Sequence, residues 1–371
     1  MLKVLSVLGT RPEAIKLAPV IQELRKHGND IVSRVCTTAQ HRELSDQVLR
    51  LFDIRPDYDL DVMTDHQSPS DVTTAVLARL DAVLRKDRPD WVLVQGDTVT
   101  VMAATLSAYY HRVPVGHVEA GLRSFDKSRP FPEEVMRQIA DVIADLHFAP
   151  TDAARDNLMR SGVPPETITV TGNTVIDALL RTAAQRPGAS RGVASIPEGR
   201  RMILVTAHRR ESFGQPLLNV CAALLRIVAR YPDVHVAFPV HPNPQVAGPV
   251  ASRLGGVQRI ALVDPMDYPS FVAAMQRSHL ILTDSGGVQE EAPSLGKPVL
   301  VLRDVTERPE AVAAGVATIV GTDTAEIVRH VTRLLDDPAA YRAMARAVNP
   351  FGDGQASVRI VRILLERGRG V

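Results

Sequence analysis

Residues 280–302 read LILTDSGGVQEEAPSLGKPVLVL. An apolar run ends at Asp284, Ser285-Gly286-Gly287 turns the chain, a helix is expected from about Val288, and a second apolar run follows at 298–302. Strand, turn, helix and strand in so short a space make a βαβ unit, and runs that are apolar on both faces fit a parallel sheet covered by helices. Two adjacent glycines at a helix start also let an anion approach bare backbone N–H groups. A plainer reading has Ser285 as a cap and Glu290 and Glu291 as first-turn acids, worth only ~0.3–1 kcal/mol each. The glycine pair favours a nucleotide phosphate, with Glu291 accepting from ribose hydroxyls.

The same alternation extends outward. MILVTAH (202–208), VHVAFPVH (234–241), RIALV (259–263) and ATIVG (317–321) surround the opening stretch. KVLSVLG (3–9), IVSRVCTT (31–38), WVLVQ (91–95), VPVGHV (113–118) and TITVTG (167–172) form an earlier series. Between them lies AAQRPGASRGVASIPEGR (183–200), small, polar and Pro/Gly-bearing, the best linker candidate. A helix from about Glu133 places Val135, Ile139, Val142, Ile143 and Leu146 at helical spacing, which reads as one buried face. The fold class is therefore α/β: two Rossmann-like doubly wound domains facing a cleft, with ligands outside the carboxyl ends of the strands. At roughly 150 residues per domain, 371 residues agree with two, set at 1–172 and 173–353.

Lys plus Arg number 43 and Asp plus Glu 42, a net charge of +1 that provides no basic stripe for nucleic acid. Cys36 and Cys221 form no framework and have no metal-ligand partner at the usual spacing, which fits a reducing cytoplasm. No stretch of 18 apolar residues occurs, so no membrane span is expected.

Several motifs carry chemistry. In LGTRPEAIK (8–16), Gly9 permits a tight turn, Thr10 caps and Pro12 suits the first helical turn. Arg11 adds a cation where the helix dipole already favours anions, and Lys16 lies one turn on. There is no GxGxxG, hence no dinucleotide cofactor. In LVQGDTVTVMA (93–103) a buried strand ends in Gly96-Asp97-Thr98, and Asp97 either caps the next helix or is aimed at a ligand. Glu119 in GHVEAGLR ends another strand, and Glu133 in RPFPEEVM starts a helix. Carboxylates crowded on one side raise one another's pKa, which suits general acid/base work. His208, Arg209 and Arg210 in VTAHRRESFG and Arg308 in TERPEAV are cations fit to meet a diphosphate. DYDLD (57–61) reads as an alternating surface segment rather than a metal motif, and no cluster has convincing metal-ligand spacing.

GTRPEAIK, TAQHRE, QGDT, HVEAGLRS, PEE, HRRESFG, DSGGVQEEAPSLGKPVLVLRD and TERPE, in this order up to about Val320, together resemble the non-hydrolysing UDP-N-acetylglucosamine 2-epimerases. The resemblance implies the two-domain glycosyltransferase-B-type fold, with a C-terminal helix (about 354–371) returning to the first domain. It implies interconversion of UDP-N-acetylglucosamine and UDP-N-acetylmannosamine, through loss of UDP to a 2-acetamidoglucal and its re-addition, without metal or NAD. Carried over by position, it makes Asp97, Glu119, Glu133 and His208 catalytic. UDP would be bound by Arg11, Lys16, Phe271, Ser285, Gly286, Gly287, Glu291 and Arg308. An activator UDP-sugar, held in some bacterial members, would meet Gln40, Arg209 and His241. A homodimer is implied as well. The chain departs from regulated members at Glu43 and His66, where Gln and Arg are expected, and Met266 replaces a polar residue at the uridine edge. Other readings stay open: an epimerase for a related UDP-2,3-diacetamido sugar, a UDP-sugar glycosyltransferase, a hydrolysing relative, and a sensor that binds UDP-sugars without turnover.

Overall fold

The structure, a computed structural model, describes residues 1–39, 42–64 and 67–369, with the backbone alone for 42–44. Gln40 and His66 therefore lie outside the described residues, as does the side chain of Glu43. The chain forms two compact units: Met1–Ala178 with Phe351–Val371, and Leu179–Pro350.

In the first unit the strands are β1 (Leu2–Leu8), β2 (Ile31–Thr37), β3 (Tyr58–Asp59), β4 (Trp91–Gln95), β5 (Val115–Val118), β6 (Leu146–Ala149) and β7 (Ile168–Val170). They pair in parallel in the order β3-β2-β1-β4-β5-β6-β7. The second unit has β8 (Arg201–Thr206), β9 (Val234–Pro239), β10 (Ile260–Val263), β11 (Leu280–Thr283), β12 (Val299–Val301) and β13 (Ala317–Ile319). These are again parallel, in the order β10-β9-β8-β11-β12-β13. In each sheet the order reverses once, between β1 and β4 and between β8 and β11. Such switch points open a crevice beyond the strand ends, where α/β proteins place ligands.

Burial explains the sheets. β4 and β5 are buried at every residue, and β8 at all but its first, because helices cover both faces. The helix Arg11–Lys26 starts on a capping box in which Thr10 and Glu13 satisfy each other's end of the chain, with Pro12 in its first turn. The C-terminal helix Ala356–Arg367 packs against it. Asp177 accepts from the N–H groups of Ala356 (3.2 Å) and Ser357 (2.8 Å), so a buried carboxylate meets the positive end of that helix.

Two sequence expectations fail. The helix from Glu133 ends at Ile143, and Leu146 opens β6 instead of extending the helix. Its inward residues are Glu134, Arg137, Ala140 and Asp141, whereas Val135, Ile139 and Val142 are exposed, so the apolar stripe faces away from the core. Residues 183–200 are no bare linker. Val193 and Ile196 are buried, Arg277 donates to both their carbonyls, and Gly192 lies so close to Val263 that a side chain would collide with it. The alternating surface segment DYDLD supplies an edge strand, with Tyr58 and Asp59 paired to Cys36 and Thr37.

Candidate active site

The question posed by Asp97 is settled locally. Thr98, not Asp97, caps the helix Val99–Tyr110, its hydroxyl accepting from the Val101 N–H at 3.3 Å. Gly96 takes φ +86°, which glycine allows freely, and turns Asp97 outward. The Asp97 carboxylate then meets Arg137, Oδ2 to Nη2 at 2.9 Å, while a third of its side chain stays open to solvent. Burial raises its pKa; Arg137 and Lys16 oppose this, and Glu119 and Glu133 add to it. Asp97, Glu119, Glu133 and Lys16 are thus brought together in the first unit.

Glu119, just beyond β5, sits at φ +67°, a left-handed conformation that strains a non-glycine residue. Lys16 Nζ lies 2.6 and 2.7 Å from its two oxygens, Asn173 Nδ2 donates to Oε1 at 3.1 Å, and Gln95 donates to Oε2. So many fixed donors hold the carboxylate in one orientation despite the backbone strain. Glu133 begins the helix Glu133–Ile143. Arg11 begins the helix Arg11–Lys26, and among the described residues no carboxylate forms an ion pair with it.

The second unit gathers a different set at its switch point. Asp284, fully buried at the end of β11, accepts through Oδ2 from the N–H groups of His208 (2.7 Å) and Arg209 (2.8 Å) and from the Ser212 hydroxyl (3.0 Å). It thereby fixes the loop after β8. Its Oδ1 lies 3.2 Å from His208 Nδ1. Burial lowers the His208 pKa, with Asp284 opposing and Arg209 and His241 assisting, so the ring is neutral near pH 7. His241 stacks beside it, centroids 6.0 Å apart.

His208 and His241 line a cavity of about 260 Å³ with Met266, Phe271, Ser285, Gly287 and Glu291. The helix starts at Gly286, two residues earlier than expected. A Cβ placed on Gly286 would lie 3.8 Å from guanidinium atoms of both Arg209 and Arg308, so two cations converge on this backbone. Arg308 is held by Glu290, and Arg209 lies 3.3 Å from Glu307. Glu291 is buried and accepts from the Tyr268 hydroxyl at 2.7 Å. The arrangement is an apolar wall of Phe271 and Met266 beside cations and bare amides, which suits a ring joined to a phosphate.

Sequence reasoning passed over four residues. Asp284 carried the same signal as Asp97, a carboxylate ending an apolar run, yet was read only as the end of that run. Arg137, Glu13 and His117 offered none, because their importance lies in what they touch. No group of three or more His, Cys, Asp or Glu among the described residues is arranged to hold a metal ion, and no helix there is long and apolar enough to cross a membrane.

Residues 22–365 match the family model described as UDP-N-acetylglucosamine 2-epimerase. A UDP-N-acetylglucosamine 2-epimerase of Yersinia pestis is 53% identical over 370 residues, covering 98% of each chain. The crystal structure of the UDP-GlcNAc 2-epimerase from Neisseria meningitidis bound to UDP-GlcNAc is 48% identical, with a TM-score of 0.88 over 98% of this chain and 100% of that one. The Methanocaldococcus jannaschii enzyme in complex with UDP-GlcNAc and UDP is 35% identical, with a TM-score of 0.79 and the same coverage.

Proposed function

The chain belongs to the UDP-N-acetylglucosamine 2-epimerase family, and from that premise we propose that it interconverts UDP-N-acetylglucosamine and UDP-N-acetylmannosamine by inverting sugar carbon 2. The observation that carries the reading is the Asp97 environment, in which Glu119, Glu133, Lys16 and Arg137 all act on one partly open carboxylate.

No carbonyl adjoins carbon 2, so its proton is barely acidic, and a general base contributes typically ~10²–10⁴-fold, short of the ~8–23 kcal/mol enzymes supply. Help must come from the leaving group. As a carboxylate takes the proton, the C2–H electrons form a double bond to carbon 1, and the pair of the C1–O bond departs with UDP. UDP then adds back to carbon 1 while carbon 2 receives a proton on its other face. Asp97, Glu119 and Glu133 handle the proton on the two faces; the raised pKa of Asp97 suits it to give one up as well as take it.

UDP belongs to the second unit in this reading. Arg209, Arg308, Ser285 and the Gly286 and Gly287 amides stabilise the departing diphosphate. Glu291 takes the ribose hydroxyls, and Phe271 and Met266 face the uracil. A diphosphate against His208 favours its protonated form, which then donates to the leaving oxygen. No step requires a metal or NAD.

We place the enzyme in the cytoplasm as a homodimer feeding polysaccharide assembly with an activated amino sugar. Buried thiols at Cys36 and Cys221 suit a reducing compartment. Tyr109 and Tyr110, with Val135, Ile139 and Val142, are exposed on neighbouring helices, the kind of surface a second copy covers. Proton NMR of UDP-N-acetylglucosamine incubated with the protein tests the reaction. UDP-N-acetylmannosamine in equilibrium with the starting sugar supports it; free N-acetylmannosamine, a new glycosidic bond with an added acceptor, or no product sinks it.

A further inference from the structure

One buried group near Asp97 has no part in the chemistry above. His117 lies in β5 with no exposed surface. Its Nε2 is 2.7 Å from the Gly96 carbonyl oxygen, and its Nδ1 is 2.7 Å from Asp141 Oδ1. A neutral imidazole has one donor and one acceptor nitrogen, but both oxygens here only accept while Asp141 is ionised. Arg123 Nη1, 2.7 Å from Asp141 Oδ2, keeps it so. With a single proton on the ring, a nitrogen lone pair would face an oxygen lone pair at a fully buried site.

We infer that His117 is a permanently charged imidazolium that positions Asp97, by holding the carbonyl of Gly96 immediately before it. The inference rests on the reading of Asp97 as a proton-transfer group. Among the described residues, three titratable side chains act on the ring, Asp141 from the helix Glu133–Ile143, Asp97 from the turn after β4 and His147 from β6, while Arg123 from the segment after β5 pairs with Asp141. Burial opposes charge on His117, but Asp141, the Gly96 carbonyl and Asp97 outweigh it and raise the ring's pKa. Burial likewise opposes charge on Asp141, and His117 with Arg123 overcomes it. His147 is pushed the other way, chiefly by burial, and stays neutral with Nε2 2.8 Å from the Asp141 carbonyl oxygen.

The Asp97 turn is then held at three points. His117 takes the Gly96 carbonyl, Glu13 takes the Thr98 hydroxyl, and Arg137 takes the Asp97 carboxylate. Arg137 and Asp141 are four residues apart on one helix, so a single element supplies the partner of Asp97 and the partner of His117. This is why the inward face of that helix is polar.

Nitrogen-15 NMR of the intact protein reads the ring directly. Both His117 nitrogens are expected to carry protons through pH 8.5. Asp141→Asn removes the counter-charge, so its ring should lose a proton within the neutral range. Turnover of that variant should fall about 10–100-fold as the proton leaves, the size of effect a small misplacement produces, with KM little changed. His117→Gln should show the same kcat loss at every pH. A singly protonated ring in active wild-type protein at pH 7.5, or wild-type kcat in both variants, overturns this inference alone. A doubly protonated ring in protein that does not epimerise the sugar overturns the proposed reaction, and the positioning role with it. Should either variant fail to fold, the wild-type ring decides.

Discussion

Arg137 Nη2 stands 2.9 Å from Asp97 Oδ2, joining the helix Glu133–Ile143 to the turn after β4. Arg137 is the strongest of the groups opposing the rise in the Asp97 pKa. Arg137→Met removes that opposition, so the Asp97 pKa rises further. The limb of the kcat/KM profile governed by Asp97 should move to higher pH, and turnover at pH 7 should fall at least ~10-fold. A profile identical to wild type would mean that Asp97 does not govern either limb.

Gly286 separates folding from binding. A methyl there would only touch Arg209 and Arg308 at ordinary van der Waals distance, so Gly286→Ala should fold normally. It would nevertheless occupy the space through which a phosphate reaches the backbone amide. UDP affinity by calorimetry should drop about tenfold or more, roughly 1.4 kcal/mol, with the thermal midpoint of the free protein unchanged. Undiminished affinity would remove the glycine turn from the phosphate site.

Glu13 links stability to pH. Burial pushes its pKa from 4.5 up to about 7, despite hydrogen bonds from Thr98, Gly9 and Thr10. The folded state therefore holds this proton more tightly than the unfolded chain does. Its contribution to stability is fully present below about pH 4.5 and lost as pH rises through about 7, a change of about 3 kcal/mol. Glu13→Gln fits the same partners, its oxygen facing the two amides and its NH₂ the Thr98 hydroxyl. Urea unfolding at pH 5, 6, 7 and 8 should show a decline in wild type that is reduced in Glu13→Gln. Equal slopes in both would exclude Glu13 as the source.

The exposed stripe of the helix Glu133–Ile143 makes its own prediction. Val142 is 83% exposed, with Ile139 one turn before it. A charge at either position costs little in an isolated chain but is costly in a buried interface. Val142→Glu and Ile139→Glu should convert a dimer to monomers in sedimentation experiments, with little change in folded content. A wild-type monomer, or dimers that survive both changes, would place the partner surface elsewhere or remove it.

That helix also marks the limit of what the sequence discloses. Runs such as WVLVQ and LILT identify buried strands because no helix face is apolar at every position. Val135, Ile139 and Val142 have helical spacing, but spacing gives the stripe without saying which side faces inward. The core expectation failed there because Arg137 and Asp141 turn inward to Asp97 and His117, and Glu134 to the N–H groups of Ser124 and Phe125. Glu119 was legible as a carboxylate ending a strand; its left-handed backbone and its Lys16 partner depend on a segment more than a hundred residues away. Ser285-Gly286-Gly287 was legible because glycine at a helix start has few purposes. Asp284, which organises the opposite loop through three hydrogen bonds, was hidden in the same motif.

The central claim is that the bond from carbon 2 to hydrogen breaks as UDP leaves and is remade from solvent. Incubating UDP-N-acetylglucosamine with the protein in deuterated water and following the carbon-2 proton by NMR tests it most directly. The account predicts that deuterium enters carbon 2 of both epimers as they equilibrate, and that Asp97→Asn and Glu119→Gln abolish this uptake while still binding UDP. Epimers that interconvert with the original hydrogen fully retained would contradict it.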